Sequence, residues 1–390
     1  PMIPLPGDLF GAERRNSAGV DLADVAALEP LAESIGKVLK KRWRAAPVIG
    51  GADAVGKVKP RPVLDPADRR RTVGTVIDAR RRDIGAALKA AGAAAPEWDR
   101  TPAETRAAIL EKAGELLEDN HAALIALLVR EAGKTIADSL AEVREAVDFC
   151  RYYAARARAD FAWPVELKGP TGEDNRLRLQ GRGVFACISP WNFPLAIFMG
   201  QVSAALAAGN AVVAKPAGQT PLIAARAVDL LHRAGVPGEA LHLLPGDGPA
   251  VGAPLVADPR VSGVAFTGSV DTARLINQAL AARPGPIVPL VAETGGQNVM
   301  IVDSTALPEQ VVADAVTSAF QSAGQRCSAL RVVFLQDDIA GRIVDMLVGA
   351  TAELAVGDPA LLSTDVGPVI DADALAMLEA HGRRMDRDGR

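Results

Sequence analysis

The chain has 390 residues, 49% of them hydrophobic, and carries 43 Lys and Arg against 47 Asp and Glu, for a net charge of −4. That is enough chain for two or three domains around a large core, and the interspersed charges make no general case for nucleic acid or anionic lipid as a partner. Cys150, Cys187 and Cys327 are odd in number and far apart, which argues against a disulfide framework and for a reducing compartment; with four histidines and no CxxC or HExxH spacing, no metal site is expected.

The chain opens at Pro1 without the basic segment and apolar core of a secretory signal, so it reads as the interior of a longer, cytoplasmic polypeptide. Residues 1–20, "PMIPLPGDLFGAERRNSAGV", are rich in Pro and Gly and read as a linker or loosely wrapped arm. A helix is expected in "LADVAALEPLAESIGKVLKKRW", then short strands and turns in "APVIGGADAVGKVKPRPVLDPADR". From Arg69 to about Asp160 the signal is helical. Thr101 is placed to cap a helix, Pro102 to open it and Glu104 to complete a capping box; Leu110, Leu117 and Leu124 recur at helical spacing, and Gly133 ends the run. In "WPVELKGPTGEDNRLRLQGRGV" two short runs flank a turn, a hairpin that suits either a subunit interface or a solvated flap. No apolar run reaches the roughly 20 residues of a membrane helix; "VFACISPWNFPLAIFMG" is cut by Pro190, Asn192 and Pro194.

Residues 183–303 alternate apolar runs ("GVFACIS", "AVVAK", "LHLLP", "VSGVAFT", "IVPLVAET", "NVMIVD") with helical stretches, the pattern of a parallel sheet with right-handed crossovers. Ligands of such sheets bind at the carboxyl ends of the strands. The polar motifs "SPWNFP", "KPAGQT", "FTGS" and "ETGGQN" fall at those ends. Asn192 lies between two prolines that fix the backbone, either as a turn residue beside a core Trp191 or as a rigid amide able to donate to an oxyanion. Lys215 closes its strand, either as a surface lysine or as a cation for phosphate or ribose. Gly268 and Ser269 lead into a helix whose first amides can hold a pyrophosphate, although the motif is not a full GxGxxG. Glu293, beside Gly295 and Gly296, is read as a helix cap, an arginine partner or a general base. Cys327 in "FQSAGQRCSALR" follows a helix-like run broken by Gly324 and stands next to Arg326 and Ser328, a setting for a nucleophile more than for core filler. Cys150 and Cys187 sit in apolar periodic runs and read as core. No histidine falls in a strand-end motif, and His232 and His242 read as structural.

Taken in order and spacing, "PWNFP", "KPAGQTP", "FTGS", "ETGGQN" and "GQRCS" resemble the aldehyde dehydrogenase superfamily from about Arg69 onward. Within it, "GPTGEDNRLRLQGRGVFACISPWNFPLAIF" and "SAGQRCSALRV" are most similar to the glutamate-semialdehyde (pyrroline-5-carboxylate) dehydrogenase modules of bifunctional proline utilization proteins. The opening "LPGDLFGAERRNSAGVDLAD" resembles the segment that joins their flavin-dependent proline dehydrogenase domain to this module. The resemblance implies NAD as cofactor, with FAD confined to the upstream domain, and oxidation of glutamate semialdehyde to glutamate. It implies Cys327 as nucleophile, the Asn192 amide and Cys327 backbone amide as oxyanion donors, and Glu293 as the base that activates water. Lys215 would hold the adenosine ribose and Ser269 the pyrophosphate. Pro190, Trp191, Gly268 and Gly295 would line the cofactor site, and Ser328, Phe193 and Glu145 the substrate site.

The expected fold is an α/β aldehyde dehydrogenase. Residues 1–45 are a linker from an upstream proline dehydrogenase domain, 46–163 and 182–291 a Rossmann-like NAD domain, 164–181 an oligomerisation hairpin, and 292–390 a catalytic domain truncated at its carboxyl-terminal side. A homodimer or higher oligomer is expected. Other carboxylated aldehydes such as succinate semialdehyde, and an inactive scaffold or fragment, are the alternatives. Two positions depart from the resemblance: Gly218 stands where Glu usually follows "KPA", removing a carboxylate expected to bind ribose hydroxyls, and Ala273 stands where many relatives have Gly. The chain also stops before the family's "EIFGPV"-type motif.

Overall fold

The computed structural model describes residues 3–54 and 58–388; the first two residues of the expected arm and the last two of the expected carboxyl-terminal domain lie outside the described residues. In chain order the elements begin with α1 (Val25–Val38), β1 (Trp43–Ala45), β2 (Val48–Ile49), β3 (Ala52–Asp53), β4 (Arg61–Leu64) and β5 (Thr72–Val76). A helical layer follows: α2 (Arg81–Arg100), α3 (Ala103–Asp119), α4 (His121–Ala132) and α5 (Ile136–Phe161). Next come β6 (Val165–Leu167), β7 (Asn175–Leu177), β8 (Val184–Ile188), α6 (Ala196–Ala207), β9 (Ala211–Lys215), α7 (Pro221–Ala234), β10 (Leu241–Leu243), α8 (Ala253–Ala257), β11 (Val261–Thr267), α9 (Val270–Ala281) and β12 (Leu290–Glu293). The last part holds β13 (Asn298–Val302), α10 (Pro308–Phe320), β14 (Leu330–Leu335), α11 (Asp337–Ala352) and α12 (Ala372–Asp388).

A seven-stranded sheet runs β12-β11-β8-β9-β10-β2-β3. Its first five strands are mutually parallel, and β2 and β3 add antiparallel at the far edge. A parallel strand is covered on both faces, so it is written as a continuous apolar run. Every residue of β9, "AVVAK", is buried accordingly. Val212 and Ala214 join Cys187, Leu241 and Leu243 in the core shared with α3 to α7. Ala211 and Val213 face the other way with Val184, Ala186 and Ile188, into the core under α2, α8 and α9. Cys150 and Cys187 are fully covered, and burial pushes both thiols up to about 12, so neither is a thiolate at neutral pH.

Four local expectations are revised. Residues 72–76 sit in the stretch read as helical, yet they form β5, which pairs with β1 on one side and β4 on the other and buries Val73, Gly74 and Val76. The capping box at Thr101 does not form: its hydroxyl donates back to Glu97 O, and Glu104 instead pairs with Arg158 of α5 at 2.7 Å. "NVMIVD" leaves the main sheet as β13 and pairs in parallel with β14, since the four residues that separate it from β12 are too few for a crossover. The arm is not loose. Asp148 of α5 accepts from Arg14 Nη1 (3.1 Å), Ser17 N (3.0 Å) and Ser17 Oγ (2.6 Å), while Glu118 accepts from Ala18 N at 2.7 Å. The expected hairpin is present as antiparallel β6 and β7, with every strand residue exposed.

Asp148→Ala removes all three arm contacts and is expected to cost about 1–3 kcal/mol. Limited proteolysis checks this: cleavage within residues 3–20 should accelerate while the sheet stays protected.

Candidate active site

Strand order reverses at β8. The chain moves from β8 to β9 and β10 on one side, then returns to place β11 and β12 on the other. The carboxyl ends of β8 and β11 therefore border a crevice at a topological switch point. The loops that leave those ends carry Pro190, Trp191 and Asn192 after β8, and Gly268 and Ser269 after β11. Lys215 ends the neighbouring β9 and Glu293 ends β12, with Gly295 exposed just beyond.

The β8 loop is held by a buried ion pair. Lys134 Nζ donates to Glu142 Oε2 at 2.5 Å, with side chains 4% and 0% exposed. The same ammonium donates to Asn192 O (2.9 Å) and lies 3.8 Å from the centre of the Phe193 ring. The other oxygen of Glu142 accepts from Leu195 N (2.8 Å) and Ala196 N (3.2 Å), the first amides of α6. Position and orientation of Asn192 are thus fixed from both sides.

The cysteine loop is held as firmly. α10 ends at Phe320, and Ser322, Ala323 and Gly324 follow in the left-handed region, with φ of 54°, 55° and 67°. Asp138 Oδ2 accepts from Ser322 N at 3.1 Å. Gln325 Nε2 donates to Ser322 O (3.2 Å), and its Oε1 accepts from Ile370 N (3.0 Å). Asn192 Nδ2 donates to Gln325 O at 2.9 Å, so the two loops meet two residues before the thiol. One hydrogen of that amide remains for another acceptor. Cys327 and Ser328 are exposed, and Asn298 Nδ2 donates to Cys327 O at 2.7 Å.

Cys327 borders two clefts. One, of about 320 Å³, is also lined by Ser328, Phe193, Glu145, Arg326 and Lys134. The other, of about 520 Å³, brings Cys327 and Glu293 to a rim above an apolar floor that includes Phe149, Tyr153 and Phe185. Glu145 is open to solvent at the mouth of the first; crowding by protein, then the neighbouring Glu142, raises its carboxyl above the ordinary range. Pro190, Trp191, Lys215, Gly268 and Ser269 line neither of these two clefts.

Lys215 is 4% exposed; its Nζ donates to Pro216 O (2.7 Å) and Gly246 O (3.0 Å), and burial pulls the ammonium down to about 8. Gly246, which accepts from that ammonium, and Gly218 border a cleft of about 540 Å³. Nothing lies within 4 Å of the Cβ that Gly218 lacks, and Arg61, paired with Asp78, donates to Gly218 O at 3.0 Å. Ser269 caps α9 by accepting from Thr272 N (3.2 Å). A Cβ at Gly268 would stand 2.6 Å from the Phe266 ring, so only glycine keeps the backbone close there. This donor set fits a dinucleotide: a buried ammonium, a helix amino terminus free of side-chain bulk, and an open floor.

Sequence reasoning missed Lys134, Glu142, Asp138, Gln325 and Glu131. Glu142 had a signal, since it lies four and eight residues before Ala146 and Cys150 on the core face of α5. Glu131 of α4 is fully buried and accepts from Leu222 N (2.7 Å) and Ile223 N (2.8 Å), the start of α7. Among the described residues, no group of three or more His, Cys, Asp or Glu is placed to hold a metal, and no helix is long and apolar enough to cross a membrane.

Fold and site define an α/β protein whose doubly wound sheet opens at its switch point beside an exposed cysteine. The aldehyde dehydrogenase family model matches residues 55–389, and the chain belongs to that family. It is 51% identical over 393 residues to the bifunctional protein PutA of Escherichia coli, covering all of this chain and 29% of that protein. It is 37% identical over 356 residues to a 1-pyrroline-5-carboxylate dehydrogenase of Geobacillus thermodenitrificans, covering 90% of this chain and 67% of that one. A Thermus 1-pyrroline-5-carboxylate dehydrogenase crystallised with bound NAD superposes with a TM-score of 0.90 at 34% identity, over 94% of this chain and 72% of that one. The chain thus spans less than a third of the length of the PutA relatives of Escherichia coli and Salmonella typhimurium.

Lys134→Met leaves Glu142 buried without a counter-charge and is expected to cost about 3–5 kcal/mol, read from urea unfolding. Adding Glu142→Gln should recover part of that loss. Burial pushes Glu131 up to about 8 from 4.5. The folded chain then holds this proton more tightly than the unfolded chain, so its contribution is full below about pH 4.5 and is lost as pH rises toward 8. Glu131→Gln is expected to flatten the stability profile across that window, by up to about 1.4 kcal/mol per pH unit.

Proposed function

We propose that this chain is the module that oxidises glutamate semialdehyde to glutamate with NAD, within a longer, cytoplasmic polypeptide that also carries a proline dehydrogenase domain. The observation that carries the reading is Cys327, exposed where two clefts meet and tied through Gln325 O to the Asn192 amide. The names of the relatives support the substrate, and the PutA relatives support the longer parent.

In this reading Cys327 Sγ attacks the aldehyde carbon to form a thiohemiacetal. The free hydrogen of Asn192 Nδ2 and the Cys327 backbone amide donate to the oxyanion. Lys215, Gly268, Ser269, Gly295 and the loop of Pro190 and Trp191 would hold NAD, which when bound would supply the hydride acceptor for oxidation of the thiohemiacetal to the thioester. Glu293, on the rim of the same cleft as the thiol, takes a proton from the water that attacks the thioester. Glutamate leaves, and Cys327 returns to its starting state. Ser328 meets the substrate carboxylate, Phe193 its aliphatic chain and Glu145 its amino group; these three line one cleft with Cys327. The residues divide as 46–163 and 182–291 for cofactor and 292–390 for catalysis, with the exposed hairpin at 164–181 joining copies into a homodimer or larger oligomer.

A second reading, a chain inactive until more polypeptide covers it, is favoured by apolar side chains left open on the small β13–β14 sheet: Ile301 is 80% and Phe334 56% exposed. Assaying NADH formation by the chain alone and by its full-length parent separates the two, a flat trace from the chain alone beside an active parent supporting the second.

In the active form, Cys327→Ala is expected to abolish turnover with NAD affinity nearly unchanged; retained turnover refutes the nucleophile. Asn192→Ala should lower kcat by about 10²–10³-fold. Because position 218 is open, Gly218→Glu should fold normally and tighten NAD binding, as read by calorimetry. A higher kcat/KM for succinate semialdehyde than for glutamate semialdehyde would overturn the substrate assignment.

A further inference from the structure

We propose that the cleft where α1 ends binds a compact polyanion of the linked-phosphate class. This cleft, about 380 Å³, lies between the end of α1, the start of β1, β5 and α4. It shares no lining residue with the clefts at Cys327 or Gly218. Five cations line it, Lys40, Lys41, Arg42, Arg71 and Arg130, and no carboxylate is among its described lining residues; Asp65, Asp68 and Asp358 pair with the two arginines Arg71 and Arg130 from outside that lining.

The five are not alike. Arg71 Nη1 (2.7 Å) and Arg130 Nη1 (3.2 Å) converge on Asp65 Oδ2, whose side chain is wholly buried behind them. That carboxylate orients two guanidinium groups; Arg130 Nη1 also meets Asp358 Oδ1 at 3.3 Å and Arg71 Nη2 lies 3.9 Å from Asp68 Oδ2, and other N–H groups remain unspent. One is Arg130 Nε, which is buried and has no hydrogen-bond partner. Lys40, Lys41 and Arg42 have no ion-pair partner among the described residues. Lys41 Nζ lies 4.3 Å from the centre of the Trp43 ring, which fixes it beside the cleft. Complementing the carboxyl end of α1 accounts for one or two cations there, and Lys37 already occupies its last turn. It does not account for Arg71, just before β5, and Arg130 of α4. Oriented guanidinium forks with ammonium groups around them match the fixed, multiply charged oxygens of linked phosphates better than a single carboxylate.

The test is isothermal titration calorimetry of the full chain with inorganic tripolyphosphate, and separately with ATP, in saturating NAD so that the dinucleotide cleft is filled. Saturable tripolyphosphate binding is expected, weakening as salt rises. Lys40→Glu/Arg42→Glu changes only exposed side chains, keeps the fold and should weaken binding at least tenfold. Arg130→Gln should weaken it as well. ATP binding as tightly as tripolyphosphate identifies a nucleotide as the source, and ATP binding tenfold worse identifies free polyphosphate. Absence of saturable heat, or an affinity unchanged in the double variant, overturns the proposal. Because these side chains lie outside the candidate active site, dehydrogenase activity measured in parallel reports on that reading independently.

Discussion

The buried contact between Lys134 and Glu142 is the constraint on which the site depends. Removing two charges from water is costly, and a pair this deep is no stability device by itself. What it supplies is position. Its two partners spend their remaining valence on main chain: the ammonium on Asn192 O, the carboxylate on the first amides of α6. An apolar pair of the same volume would fill the space and leave the β8 loop free to choose among conformations. With the pair in place, the segment from Pro190 to Ala196 is held at its middle and at its exit, and the Asn192 side chain has one direction in which to point. That direction ends at Gln325 O, in the loop of the cysteine.

The cysteine loop carries strain that this arrangement opposes. Two non-glycine residues, Ser322 and Ala323, are held in the left-handed region just after α10, at a cost of about 1–2 kcal/mol each. Asp138 and Gln325 over-determine the turn by binding Ser322 through its N–H and its carbonyl. Asp138 lies in the first turn of α5, as Glu142 does in its second, so one end of one helix organises both loops. Thr135 caps that end, accepting from Asp138 N at 3.2 Å. The helix then runs 26 residues through the core, which anchors its first turns.

These facts explain which parts were legible in the sequence. β9 was legible because a doubly covered strand must be apolar throughout, and "AVVAK" is. The hairpin was legible from its turn chemistry, and the exposure of Cys327 from the contrast between its polar neighbours and those of the buried Cys150 and Cys187. β5 was not, because "TVGTV" reads as a strand only once β1 and β4 lie beside it. The capping box failed for a similar reason: Glu104 had a better partner 54 residues away in Arg158. Lys134 looked like an ordinary residue between two helices, since Asn192 is 58 positions off. The arm read as loose because Pro and Gly report only local stiffness, and Asp148, which ties it down, is 131 residues distant from Ser17. Chemistry-bearing residues advertise themselves by type; the residues that aim them do so only through contacts.

The same device recurs at the neighbouring strand. β8 feeds α6 and β9 feeds α7, and each helix start is gripped by a buried glutamate, Glu142 from α5 and Glu131 from α4. In both cases the loop between strand end and grip carries candidate ligand residues, Asn192 in the first and the segment from Lys215 to Thr220 in the second. The two grips differ in one respect. Glu142 has an ammonium against it, whereas Glu131 has no ion-pair partner among the described residues, and only the more distant charge of Arg61 and the two amides oppose its desolvation. A carboxyl so placed is driven up to about 8 and holds its proton at neutral pH. A neutral carboxyl accepts two amides less strongly than an anion does, so the grip on α7 tightens electrostatically only when the proton leaves, and leaving exposes a bare buried charge. The loop beside Cys327 is therefore fixed by a compensated pair, and the loop beside the open floor at Gly218 by an uncompensated one. Of the two, the second is the softer, and it is the one that borders the open cleft at Gly218.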